Sequence, residues 1–150
     1  MLIEKIGNLL DDTQPGDCIV NTVNCEGVMG KGIALQFKQK YPKMFSEYKK
    51  ACFRGDIQPG KLWLWTDGIN LIINFPTKMS WREPSQYDWI KSGLVVLKEI
   101  IKEKQIKTIK IPALGCENGK LDYNRVRNMI IEELDDVLDD VRIELYRRGG

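Results

Sequence analysis

The chain has 150 residues, 43% hydrophobic and 29% charged, a balance that suits one globular domain able to bury a core without disulfides or a metal. A formal net charge of +2 is too small to argue for nucleic acid by itself, so a nucleic-acid substrate has to be argued from a site. The chain contains no histidine, which excludes Ser-His-Asp and Cys-His chemistry and leaves Lys, Asp, Glu, Cys, Tyr, water or the substrate to carry any catalysis.

In chain order, Leu2 to Ile6 reads as a short strand, followed by a polar turn through Asp11 and Asp12. Cys18 to Val23 is a second strand, rich in β-branched residues. A Gly-rich loop runs from Asn24 to Gly32, and from Ile33 to Phe53 the apolar spacing turns helical, with a break near Pro42. Lys61 to Thr66 and Asn70 to Phe75 are two strands joined by an Asp67–Gly68 hairpin turn. A loop from Pro76 to Pro84 leads to an amphipathic helix, Ser85 to Lys104, with Ser85 expected as its N-cap. Thr108 to Pro112 is a buried strand, Ala113 to Gly119 a second glycine-bearing loop, Asn124 to Leu138 a helix and Val141 to Tyr146 a last strand. Arg147 to Gly150 is expected as a tail, with Arg147 and Arg148 frayed. Alternating helices and strands predict an α/β fold with a mixed sheet, which binds ligands beyond the carboxyl ends of its strands.

Phe37, Tyr41, Met44 and Phe45 are expected in the core, and the acidic run Glu132 to Asp140 as a solvated helix face and its end. Cys18, Cys25, Cys52 and Cys116 form no CxxC pair, so no metal site is expected and the thiols are expected reduced. No cofactor is called for. No stretch approaches a membrane span and the N-terminus lacks a signal-peptide pattern, so a cytoplasmic location without membrane contact is expected.

Three loops carry the chemistry. In VNTVNCEGVMGKGIALQFK, from Val20, the glycines Gly27, Gly30 and Gly32 precede a helix start, where backbone amides and the helix dipole favour an anion. The spacing is neither a Walker A loop nor a dinucleotide fingerprint, so an ordinary Gly-rich turn stays open beside the phosphate cradle. IPALGCENGKLDY, from Ile111, runs from a strand into Gly115 and Gly119, and is either a second phosphate loop or a plain connection. In NFPTKMSWREPSQYDW, from Asn74, Lys78 follows a buried strand. It is either a solvated lysine or, with its pKa lowered by burial, a nucleophile or base. Trp81 either stacks on a base or ribose or packs the loop.

Taken together these loops resemble the macrodomain family, and are most similar to its DarG-type DNA ADP-ribosyl glycohydrolases and the related terminal ADP-ribose protein glycohydrolases. The resemblance spans nearly the whole chain. It implies a three-layer α/β/α sandwich with a mixed sheet of about six strands, one macrodomain over residues 1–150, and ADP-ribose in a cleft across the sheet's crest. It implies ADP-ribose contacts from Asn21, Asn24, Gly30, Lys31, Gly32 and Ile33, from Thr77, and from Leu114, Gly115, Cys116, Glu117, Asn118 and Gly119. Lys78 matches the lysine taken as catalytic in both groups. Family members hold the adenine with an acidic residue near the first turn; here that turn reads GNLLDD, which places Asn8, with Leu9, at that position. Protein-directed relatives carry an aspartate in the second loop where this chain has Gly119, a departure shared with the DarG type. Glu117 is unusual in this loop, and is expected to face solvent rather than replace that acid.

The implied activity is removal of ADP-ribose from thymidine in single-stranded DNA, as an antitoxin to a cognate ADP-ribosyltransferase toxin. DarG-type proteins often carry a further C-terminal region, so a chain ending at residue 150 is read as a macrodomain by itself or as part of a longer protein. Two other readings remain: a module that binds ADP-ribose without cleaving it, and a hydrolase of ADP-ribosylated protein or O-acetyl-ADP-ribose.

Overall fold

The computed structural model describes residues 1–148, so the Gly149–Gly150 part of the expected tail lies outside the described residues. The strands are β1 (Leu2–Ile6), β2 (Cys18–Val23), β3 (Trp63–Thr66), β4 (Leu71–Pro76), β5 (Thr108–Pro112) and β6 (Arg142–Arg147). The helices are α1 (Gly32–Lys40), α2 (Pro42–Phe53), α3 (Tyr87–Glu103) and α4 (Tyr123–Glu133). The strands form one mixed sheet in the order β1-β6-β5-β2-β4-β3, parallel throughout except for β3, which runs antiparallel to β4 at one edge.

The period-2 alternation of the strands sends side chains to two cores. Cys18 and Val20 of β2, Ile73 and Phe75 of β4 and Ile109 and Ile111 of β5 pack under α3 and α4. Ile19 and Val23 of β2 and Ile72 of β4 pack on the other face with Phe37 of α1 and Met44 and Tyr48 of α2. The result is the expected α/β/α sandwich. Of the four residues expected in the core, Phe37, Tyr41 and Met44 are buried and Phe45 is half-buried against them.

Three local expectations are corrected. Ser85 is not the N-cap of α3: Gln86 holds that place, without a side-chain capping bond. The Ser85 amide instead donates to the carbonyl of Gly119 at 3.0 Å, which ties the residue to the second loop. The last helix is shorter than Asn124 to Leu138. It begins behind an Asp122 cap, whose side chain accepts from the Arg125 amide at 2.9 Å, and gives way to a 3-10 turn at Asp135–Val137. A run of carboxylates at a helix C-terminus opposes the helix dipole, so the helix ends early within the acidic run, short of Leu138. Nor is the basic end frayed. Arg147 pairs with Ile6 in the sheet and lies over the Tyr123 ring at 4.2 Å, while Arg148 reaches Glu117.

The parallel order positions the site. β4, β2, β5, β6 and β1 all end at the same edge of the sheet, so the segments leaving them are brought side by side. No described helix is long and apolar enough to cross a membrane.

Candidate functional site

At that edge lies a cleft of about 330 Å³, within the size range of small-molecule sites. One wall is the first loop and the start of α1, with Asn24, Gly30, Lys31, Gly32 and Ile33. The opposite wall is the second loop, with Gly115, Cys116, Glu117, Asn118 and Gly119. Thr77 and Lys78 close one end beside Trp81, and Asn8 and Leu9 of the first turn also line the cleft.

Two of the expected contact residues do not reach it. Asn21 is fully buried beneath the floor, where its Nδ2 donates to Asn74 Oδ1 at 3.1 Å on the neighbouring strand. Leu114 is likewise fully buried and packs into the α3–α4 core. Strand alternation turns Asn21 away from the ligand edge and leaves its neighbour Thr22 lining the cleft, while Leu114, in the turn after β5, points into the core and Ala113 lines the cleft instead.

The first wall is built to accept an anion. Lys31 precedes α1 in extended backbone with no side-chain capping bond, and no acidic residue stands in the first turn. The opening amides of α1 therefore have no partner within the helix and carry the positive end of its dipole. The loop before them is fixed by Asn24. Its Oδ1 accepts from the Glu26 amide at 3.0 Å, its Nδ2 donates to the Val28 carbonyl at 2.7 Å, and Tyr48 Oη donates to its own carbonyl at 2.7 Å. The Asn24 side chain thus holds the loop in shape from its edge of the cleft.

The second wall owes its shape to missing side chains. Gly115 has φ +71, a left-handed conformation that favours glycine. Gly119 is in ordinary backbone, but a Cβ there would overlap Ser85 Oγ and the Gly115 carbonyl oxygen. No aspartate fits at 119 without moving this loop. Ser85 Oγ is itself buried without a hydrogen-bond partner.

Lys78 spans the end of the cleft. Its Nζ donates to the Asn118 carbonyl at 2.9 Å, joining the third loop to the second. Burial lowers its pKa below the ordinary lysine value, and the nearby cations Lys31 and Lys120 lower it further. The thiols in this region go the other way. Burial pushes Cys116 up to about 12 and Cys25 up to about 11, so both stay protonated and are weak nucleophiles at neutral pH. Among the residue types left after histidine is excluded, the amine of Lys78 is the group tuned toward reactivity.

Glu117 stands near Arg148, whose Nη1 is 3.5 Å from Glu117 Oε2, so the carboxylate is answered by a cation from the end of β6. At the first turn, Asn8 Oδ1 accepts from the Leu10 amide at 2.9 Å and its Nδ2 donates to Gln36. The nearby carboxylate of Asp12 is engaged by Tyr146 Oη at 2.8 Å and does not line the cleft. Gly7, Gln36, Tyr146 and Arg148 line the cleft and were not expected there. Gln36 follows Gly32 by one helical turn, a spacing the sequence does carry. Nothing local marks Tyr146 or Arg148, which arrive only because β6 lies between β1 and β5.

The Macro domain family model matches residues 20–130. A Mycobacterium tuberculosis protein named DNA ADP-ribosyl glycohydrolase is 46% identical over 138 residues, covering 89% of this chain and 39% of that protein. The solved macrodomain of Mycobacterium tuberculosis DarG superposes with a TM-score of 0.90 at 43% identity, covering 97% of both chains. A Thermosipho africanus DNA ADP-ribosyl transferase-DNA ADP-ribosyl glycohydrolase fusion protein is 30% identical over 144 residues, covering 83% of this chain and 37% of that protein. The Thermosipho africanus DarTG structure, solved with ADP-ribose, gives a TM-score of 0.79 at 29% identity, covering 87% of this chain and 38% of that one. The chain thus spans about two fifths of the length of these curated relatives.

Proposed function

The chain belongs to the Macro domain family, and from that premise we propose that it is a DNA ADP-ribosyl glycohydrolase acting on single-stranded DNA. The diphosphate of ADP-ribose lies between the uncapped start of α1 and the loop from Gly115 to Gly119. The adenosine lies toward Asn8 and the distal ribose toward Lys78. Thymidine is the base released. Residues 1–150 act as one macrodomain, in the cytoplasm where the DNA is. The fused arrangement of the Thermosipho africanus relative supports a cognate ADP-ribosyltransferase toxin as partner.

The observation that carries this reading is the placement of Lys78, an amine of lowered pKa held by Asn118 at the end of an anion-accepting cleft. Breaking the N-glycosidic bond adds the elements of water: the hydroxyl to the anomeric carbon of the distal ribose, the proton to the base. The departing sugar passes through an oxocarbenium-like state. Lys78 serves either by direct attack on that carbon, expelling the base and leaving a C–N adduct that water then hydrolyses, or by activating the water as the acceptor of its proton. The want of space at Gly119 supports DNA over protein as substrate, because the aspartate implied for protein-directed relatives has no room there.

Lys78→Ala should slow release of ADP-ribose from a modified oligonucleotide by at least about 10²-fold, with affinity for free ADP-ribose kept within a few-fold. Full turnover by the alanine variant removes Lys78 from the reaction. Absence of any cleavage by the wild type, with ADP-ribose still bound, makes the chain a module that binds without cutting.

A further inference from the structure

Outside the cleft, the most exposed large apolar residue described is Phe53, the last residue of α2, with 94% of its surface accessible. The inward side of α2 is already complete, since Met44, Tyr48 and Ala51 are buried there, so Phe53 contributes nothing to the core. It stands in a surface groove with Lys49, Lys50 and Arg54, where Glu26 is the lone acid. Arg54 touches Asp56 at 2.9 Å, but both side chains are half exposed, and such a pair exchanges readily for another anion.

The groove adjoins the cleft. Cys25 lines the groove, and its amide donates to the Met79 carbonyl at 3.2 Å while its thiol donates to the Lys78 carbonyl at 3.4 Å. The backbone that carries Lys78 on the cleft side therefore backs onto the groove through one residue. Lys49 also packs on the first loop, 3.2 Å from where a Cβ on Gly27 would lie.

We propose that this groove holds the nucleotides next to the modified base, with Phe53 stacking on a neighbouring base and Lys50 and Arg54 meeting the backbone phosphates. The inference rests on the glycohydrolase reading for the identity of the strand, and supplies a strand-binding surface separate from the ADP-ribose cleft. A base joined to the distal ribose at Lys78 cannot enter the cleft with its strand, so the flanking chain has to run over the outside. An exposed aromatic among cations is what a single strand binds without sequence preference. Three cations and one acid line the groove, and Cys25 ties that groove to the backbone of Lys78.

The test is fluorescence anisotropy with an unmodified oligothymidylate about twelve nucleotides long, within the span that single-strand-binding domains cover. Wild type should bind, and more weakly as salt rises. Phe53→Ser should weaken binding about tenfold, within the range of one lost base stack. Lys50→Ala with Arg54→Ala should reduce the log–log salt slope by about 1.4, two phosphates at roughly 0.7 each. All variants should bind free ADP-ribose like wild type. Unchanged oligonucleotide binding by the variants, or none by wild type, overturns the proposal and leaves the face to a protein partner. Turnover is read separately. Oligonucleotide binding through Phe53 with no cleavage by wild type would sink the glycohydrolase reading and keep the groove. Equal cleavage of a modified oligonucleotide by all variants would do the reverse.

Discussion

Gly119 and Ser85 are packed so tightly that a Cβ on the glycine would stand 2.8 Å from the Cβ of the serine. The Ser85 amide also donates to the Gly119 carbonyl at 3.0 Å, so the start of the α3 region and the second loop are locked at one point. Gly119→Ala should lower the melting temperature and weaken ADP-ribose binding at least several-fold. Ser85→Gly should not rescue it, because the Gly115 carbonyl oxygen, which is backbone, also blocks the site. Calorimetry of the single and double variants checks this, and wild-type affinity in Gly119→Ala would show that the loop yields freely.

The lowered pKa of Lys78 sets a pH dependence. An amine that attacks or accepts a proton acts only when neutral, so turnover should rise with pH through the lowered value and level off above it. Burial is the main cause of the lowering, with Lys31 and Lys120 adding to it. Lys120→Ala removes one of these cations, so Lys78 should hold its proton to higher pH and the rising limb should move up. A pH–rate profile of both proteins decides the point, and a limb that stays put or moves down contradicts it.

Arg148 links the end of β6 to the second loop through Glu117, with 73% and 42% of the two side chains accessible. An ion pair this exposed contributes little to folding, so Arg148→Ala should change stability by less than about 0.5 kcal/mol. It does remove a cation that lines the cleft, so ADP-ribose should bind several-fold more weakly. Equal affinity would show that Arg148 faces Glu117 and nothing else.

On the α1–α2 face, beyond the apolar core, Glu144 takes Lys5 at 2.8 Å and Lys110 at 3.0 Å, with Asp17 3.5 Å from the Lys110 ammonium. Burial alone would raise the Glu144 pKa, but the hydrogen bonds and charges of Lys5 and Lys110 outweigh it and the net shift is downward. A carboxylate with a depressed folded pKa stabilises the fold above its unfolded pKa, and that contribution is lost as pH falls through the folded value. Glu144→Gln leaves the buried Lys110 with only the more distant Asp17, and should cost about 2 kcal/mol at neutral pH. The difference from wild type should shrink in acid. Equal denaturation midpoints at neutral pH would show the network to be energetically idle.

How much of this was legible in the chain differs from residue to residue. The three loops, Lys78 among them, follow apolar strand runs that break at Asn24, Pro76 and Pro112, and those signals are local. The cap at Ser85 failed because capping competes with packing: the residue is drawn under Gly119 by a contact 34 positions away in the sequence. The burial of Asn21 and Leu114 was not legible, because strand parity at Asn21 and the course of the turn at Leu114 have to be combined with which face meets which helix.

The sequence by itself determined the α/β alternation and the place of the glycine-bearing loops, because each depends on residues close together in the chain, and its composition excluded histidine chemistry. Tertiary structure alone decided which ends of the chain meet. Parallel pairing of β6 between β1 and β5 carries Tyr146 and Arg148 to the cleft and sets Arg148 against Glu117. Pairing between distant strands is selected by the fit of the whole sheet and its two cores, and no single segment encodes it.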